Sequence, residues 1–369
     1  MTRNITMDKI RINALFFLIS FHFLYYIEYY NVPCVGVQMY VMCVFRALFT
    51  ACIPLFLLLT GYLMAEKTLS KGYYKKCLRT VWIYVLACIV SAVYRWIVGG
   101  IVFQPIDFLK SMLNFSACPY GWYVEMYLGL FILIPFLNIL YKGVPSQGWK
   151  KVLVITMAVL TSLPSLVNVT DFKIIPAWWT AFYPITYYFI GCYIHEYGLR
   201  IRRVWNVLAI VAIMLAVGTY TYFNSAAEPF VWSGWSEWNS WANVLMGTLV
   251  FGLWVNGKTT TKTCAAEMQV EEKVASIAAN RDDSTNIEKR MAKILMYGSK
   301  LAFGAYLLSW IAEDAVYHHI PLNALEVENR IVFYPVVIVV MIVSLALSAV
   351  VNGVYDAVIG LRKRNGIKV

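Results

Sequence analysis

Apolar and polar residues follow one another along this chain in long blocks, without the short period of a half-buried strand or a surface helix. Apolar runs of about twenty residues recur, each long enough to cross a hydrocarbon core of roughly 30 Å as a helix. The blocks predict spans at residues 10–30, 41–64, 78–98, 121–141, 152–167, 178–194, 204–223, 241–256, 294–317 and 331–360. The expected fold class is therefore all-α, a polytopic transmembrane helical bundle of about ten spans, because a helix satisfies its own backbone hydrogen bonds inside one apolar run. Pro33 and Gly36 end the first block, and Pro54 and Gly61 within the second mark where a helix bends or lets another backbone approach. Residues 257–293 break the pattern with a polar stretch of mixed charge, expected to be a mobile or partly helical insertion in a single membrane domain covering 1–369. No tandem repeat is present, so a transporter made of obvious duplicated halves gains no support.

Composition agrees with the pattern. With 60% hydrophobic and 14% charged residues, the chain is too apolar for an ordinary soluble protein. Its formal charge of +11 would suggest nucleic acid in a soluble chain, but no RNA- or DNA-binding motif accompanies it. The basic residues lie instead in alternate connections: Lys67, Lys71, Lys75, Lys76 and Arg79, then Lys142, Lys150 and Lys151, then Arg200, Arg202 and Arg203, then the insertion and the C-terminus. The positive-inside rule makes those surfaces and both termini cytoplasmic, in a multi-pass membrane protein. The eight cysteines show neither CxxC pairs nor metal-ligand spacing and read as small buried hydrophobes, with no bound metal or cofactor expected. Cys34 and Cys118 both fall near outer span ends, where they either pair or stay as free thiols. The outer segment 228–241, EPFVWSGWSEWNSW, is commonly an interfacial aromatic belt, the alternative being a platform for sugar rings.

Candidate chemistry centres on the first span. Arg11 and His22 are eleven residues apart, which returns them to nearly one helix face, roughly 16 Å apart along the axis. Ionisable groups within hydrocarbon usually face a bundle interior and are functional candidates. Imidazole titrates near neutrality and suits removal of a proton from an acceptor hydroxyl, or acceptance of an acyl group. Glu125 and Glu28 are the carboxylates considered as its partners. Lys76 and Arg79, one turn apart, suit a phosphate-bearing donor, although basic residues flanking a span also meet topology and lipid headgroups. No G-x-S-x-G, HExxH or glycine-rich phosphate loop occurs, and His318 and His319 fall in an outer loop as solvated residues.

The series Arg11-x10-His22, IPLFLLLTGYLM, Lys76-x-x-Arg79, GWYVEMYLGLFILIPFLN and FGAYLLSW resembles the membrane acyltransferase-3 family over nearly the whole chain. The resemblance implies an integral membrane O-acyltransferase that moves an acyl group, with acetyl from acetyl-CoA as the expected donor, to a hydroxyl of a cell-surface polysaccharide or its lipid-linked precursor. It implies a catalytic role for His22 assisted by Arg11, donor-phosphate binding by Lys76 and Arg79, and pocket lining by Arg46, Tyr62, Trp122 and Glu125. Ser309 stands where many members carry histidine, so no second histidine role follows. Implied partners are acyl-CoA, a surface glycan or lipid-linked saccharide and membrane lipid; because the chain stops shortly after its last span, whereas some members carry a hydrolase-like domain there, either the bundle performs the whole transfer or a separate extracytoplasmic protein receives the acyl group. A transporter or flippase for a lipid-linked glycan is the alternative from another class.

Overall fold

The computed structural model describes residues 4–102, 104–168, 172–255 and 282–364. Its helices are α1 (Ile5–Tyr26), α2 (Val37–Phe49), α3 (Cys52–Met64), α4 (Lys71–Lys75), α5 (Cys77–Gly99), α6 (Pro105–Leu113), α7 (Trp122–Gly143), α8 (Gln147–Thr161), α9 (Pro164–Val167), α10 (Tyr183–Tyr197), α11 (Arg203–Asn224), α12 (Trp241–Val255), α13 (Asp282–Tyr317) and α14 (Val336–Arg364). No strand occurs among the described residues. Six segments are long and apolar enough to cross a membrane, at Val37–Met64, Lys71–Gly99, Trp122–Gly143, Arg203–Asn224, Glu288–Tyr317 and Val336–Val358.

The other four expected spans are helical but shorter or more charged. Helices α8, α10 and α12 have 15 residues each, about 22 Å of rise against a core of roughly 30 Å. Helix α1 has 22 residues but brings Asp8, Lys9 and Arg11 into its first turns. It begins at Ile5, earlier than the apolar run suggests, because the side chain of Asn4 accepts from the backbone N–H of Thr6 and caps it. It ends at Tyr26, and Glu28 then adopts a left-handed backbone with φ 63°. Fourteen of its residues are buried. A helix apolar all round is a core element, and α1 packs against α2, α3, α12, α13 and α14.

The second expected span is broken between α2 and α3 at Thr50 and Ala51. Pro54 has no N–H to give the carbonyl four residues before it, so the helical ladder lapses at Thr50. The Thr50 hydroxyl bonds back to the Ala47 carbonyl at 2.8 Å and lies 2.6 Å from Asn243 Oδ1, which ties the break to α12. Gly61 permits a backbone contact. A Cβ there would lie 2.1 Å from the carbonyl oxygen of Tyr188, and one on Gly191 would lie 2.3 Å from that of Leu58, so α3 and α10 pack backbone to backbone.

One expected loop contains helix, and the polar insertion is helical in its last part. Residues 99–120 include α6, started by Pro105 at its first turn. The last part of the polar insertion is not separate from the ninth span: α13 runs unbroken from Asp282 through 36 residues. The remainder of that insertion, 257–281, lies outside the described residues. The suggested Cys34–Cys118 pair is not formed. Cys118 donates its thiol to the Leu307 carbonyl at 2.9 Å, whereas Cys34 Sγ lies 3.7 Å from Cys43 Sγ, both thiols free. Cys118 thereby fastens the segment before α7 to α13.

Candidate active site

Helices α1 and α13 run side by side in the same direction, since Arg11 meets Ser299, halfway along α13, and further on along both helices His22 meets Glu313. This bears out the shared face of Arg11 and His22: one stripe of α1 looks along α13. His22 is 6% exposed and Glu313 wholly buried. His22 Nδ1 lies 2.8 Å from Glu313 Oε1, and the Tyr120 hydroxyl donates to Glu313 Oε2 at 2.6 Å. The Tyr120 ring stacks on the imidazole, centroids 4.1 Å apart at 22°. Both carboxylate oxygens are thus engaged, as a buried charge requires. With the carboxylate ionised, Nδ1 carries the ring proton and Nε2 keeps its lone pair, so Nε2 is the atom available for proton or acyl transfer.

The carboxylate partner differs from both that the sequence suggested. Glu125 is exposed, and Glu28 pairs with Arg330 at 2.6 Å. Glu313 and its neighbour Asp314 are the two acids at the end of an apolar stretch, and packing divides them, Glu313 turning to His22 and Asp314 accepting from the Tyr94 hydroxyl at 2.7 Å. Tyr120 is held by two features. Gly121 lets the chain turn against the Phe115 carbonyl, 2.2 Å from where a Cβ would sit, and the Tyr306 hydroxyl donates to the Tyr120 carbonyl at 2.9 Å. The segment before α7 is therefore pinned to α13, the helix that carries Glu313.

A cavity of about 340 Å³ opens at the other end of the same stripe. Arg11, Arg79 and Lys300 supply its cations, and Tyr123, Tyr127, Phe303 and Tyr306 line its apolar side. Arg11 donates to Ser299 Oγ at 2.8 Å, and Ser299 donates to the buried Asp8 at 2.6 Å, which fixes the guanidinium at the wall. Arg79 reaches Asn352 Oδ1 at 3.3 Å and lies over the Tyr355 ring. Lys76 is exposed at the turn before α5 and does not line the cavity, while Lys300, which sequence reasoning missed, does. Tyr306, at the wall, contacts Tyr120, whose ring covers His22. Tyr306 and Tyr120 thus form a chain of ring contacts from the cavity to the histidine.

None of the four residues expected to line a pocket borders this cavity. Arg46 is buried among aromatic rings, Tyr62 packs on His195 and Phe251, Trp122 stacks on Trp238 with centroids 6.4 Å apart, and Glu125 faces outward. Ser309 is buried and bonds to the Tyr306 carbonyl. His318 and His319 are exposed, as expected of a loop. No cluster of metal-ligating side chains occurs among the described residues.

Comparison with curated proteins and with solved structures gave no match. A family model described as an acyltransferase domain matches residues 4–350, a span that contains the histidine, its carboxylate and all the cations of the cavity. An apolar helical bundle with a buried histidine dyad, matched over nearly its whole length, belongs to the acyltransferase-3 family and is a membrane acyltransferase.

Proposed function

We propose that this protein is an O-acyltransferase of a bacterial cytoplasmic membrane that takes acetyl from acetyl-CoA and delivers it to a hydroxyl of a cell-surface polysaccharide or its lipid-linked precursor. The observation that carries the reading is the bond from His22 to Glu313, with Tyr120 closing the second carboxylate oxygen. A carboxylate behind an imidazole fixes its tautomer and stabilises the imidazolium that forms during transfer. His22 Nε2 removes the proton as the acceptor oxygen attacks the thioester carbonyl, then returns it to the departing thiolate, so that an ester and free CoA result.

The donor's phosphates sit at the cavity on Arg11, Arg79 and Lys300, with Lys76 one turn from Arg79 at the mouth. Fixed positive charge with several N–H donors suits phosphate oxygens. By this reading that end is cytoplasmic, both termini lie on it after ten crossings, and the acceptor arrives from the opposite end. The thioester arm must pass Tyr306, at the wall, and Tyr120, behind it, to reach His22. A partner protein outside the membrane either receives the acyl group or is dispensable, according to whether the bundle alone modifies glycan.

The test is transfer of radiolabelled acetyl from acetyl-CoA to a cell-envelope glycan extract by purified protein in lipid, beside His22→Ala. Label in the glycan with wild type and at least a hundredfold less with the folded, inserted variant is expected. Full activity in His22→Ala would remove the mechanism. Absence of both thioester turnover and donor binding in the wild type would favour a glycan flippase.

A further inference from the structure

Arg46 lies within an apolar segment of α2, is 1% exposed, and has no carboxylate within ion-pair distance among the described residues. Its guanidinium carbon sits 4.5 Å from the ring centre of Phe230, 5.1 Å from Trp232 and 5.5 Å from each of Phe21 and Tyr30. Nε donates to the Tyr30 hydroxyl at 3.1 Å, but the buried Nη2 has no hydrogen-bond partner. Ring faces stabilise a cation through its charge. They offer no lone pair in the guanidinium plane, so the Nη2 protons remain unsatisfied, at a cost that proteins ordinarily avoid.

Two of the four rings come from the aromatic segment between α11 and α12. Phe230 and Trp232 fold over Arg46, Trp232 stacking on Tyr30 with centroids 5.3 Å apart at 7° and remaining half exposed. Further along the same segment Trp238 packs on Phe21 at 5.3 Å and stacks on Trp122. Phe21 immediately precedes His22, and its ring is shared: its centroid is 5.5 Å from the Arg46 guanidinium carbon and 6.4 Å from the centroid of the imidazole. The exposed Glu237 of this segment forms no ion pair with Arg46 and leaves its charge unmatched.

Resting on the acyltransferase reading, we propose that Arg46 is the oxyanion-binding residue of the acceptor site, and that the acceptor is an anionic saccharide. Its negative group occupies Nη2 once Trp232 swings aside, and Trp122 and Trp238 offer faces to the sugar beside His22. A carboxylate on the sugar and a phosphate joining it to a carrier share the required chemistry, planar or tetrahedral oxygens that accept from a guanidinium.

Binding is measured in lipid nanodiscs with the His22→Ala protein, so that chemistry does not intervene. Oligogalacturonate is compared with its carboxyl-reduced form, and galactose 1-phosphate with galactose. Each charged probe that fits should bind at least about tenfold more tightly than its neutral counterpart, and Arg46→Gln should erase the difference. Discrimination by the carboxylated pair or by the phosphorylated pair names the source of the anion. Equal binding of charged and neutral probes, no binding of any, or discrimination that survives Arg46→Gln would overturn the proposal. If Arg46→Gln does not fold, the emission of Trp232 decides: the charged probe should change it, and the change should vanish in Trp232→Phe; a change that persists places the anion elsewhere. Discrimination without any acyl transfer by wild type would remove the enzyme reading and keep the site.

Discussion

At the scale of the residue, the dyad depends on a carboxylate with no exposure whose two oxygens are each held by one neighbour. Glu313→Gln keeps the volume but places an amide where the charge stood, leaving the imidazole free to adopt the other tautomer and its protonated form unstabilised. The acyl-transfer kcat should fall about a hundredfold or more with little change in the KM for acyl-CoA, as steady-state kinetics would show. A KM effect of similar size would instead put Glu313 in donor binding. The cations of the cavity separate in the same way. Arg79 lines it and Lys76 does not, so Arg79→Gln should raise the KM for acyl-CoA several-fold more than Lys76→Gln does, read under one salt concentration because such contacts are screened. The reverse order would move the phosphates out to the mouth.

At the scale of the element, α1 works because it is enclosed. Its apolar surround makes His22 and Arg11 expensive to bury alone, and α13 meets both with polar partners at matching heights. The helices that enclose it are held at close range by Gly61 and Gly191. Gly61→Ala must push the α10 backbone away from α3, since its new methyl group would sit 2.1 Å from the Tyr188 carbonyl oxygen. The expected cost is about 1–3 kcal/mol, visible as earlier thermal unfolding in detergent; unchanged unfolding would mean that the two helices separate freely. How legible these elements were in the sequence varied with what ended them. Block hydrophobicity marked α7 and α11 to within a few residues, because apolar run and helix coincide there. Hydrophobicity ran through the break at Thr50, where Pro54, already marked as a bend, removes a donor, and it placed the start of α13 at 294 where a polar helix runs on from Asp282 into the apolar one.

At the scale of the whole molecule, the two candidate sites lie at opposite ends of one stripe, with cations at the start of α1 and aromatic rings around its end. Transfer across the membrane requires those ends to face different compartments. In a cysteine-free background, a single cysteine at the exposed Asn323 should react with a membrane-impermeant thiol reagent in intact cells, and one at the exposed Thr68 only after permeabilisation. The opposite labelling would invert the path and place the acyl donor on the outer side. Six segments long and apolar enough to cross do not by themselves fix this sidedness; the distribution of lysine and arginine is its basis.

The sequence alone determined the class of the molecule, the helical character of nearly every apolar block and the common face of Arg11 and His22, because hydropathy and helical period act through neighbouring residues. The series of motifs also led to the family that the match over residues 4–350 establishes. Tertiary structure decided what is distant along the chain. Glu313 meets His22 across 291 positions, Tyr120 reaches Glu313 across 193, and the rings of Phe230 and Trp232 close over Arg46 from another loop. No local rule selects Glu313 over Glu28 or Glu125. The choice is made by packing, which brings one carboxylate against the imidazole, gives another to Arg330 and leaves the third exposed.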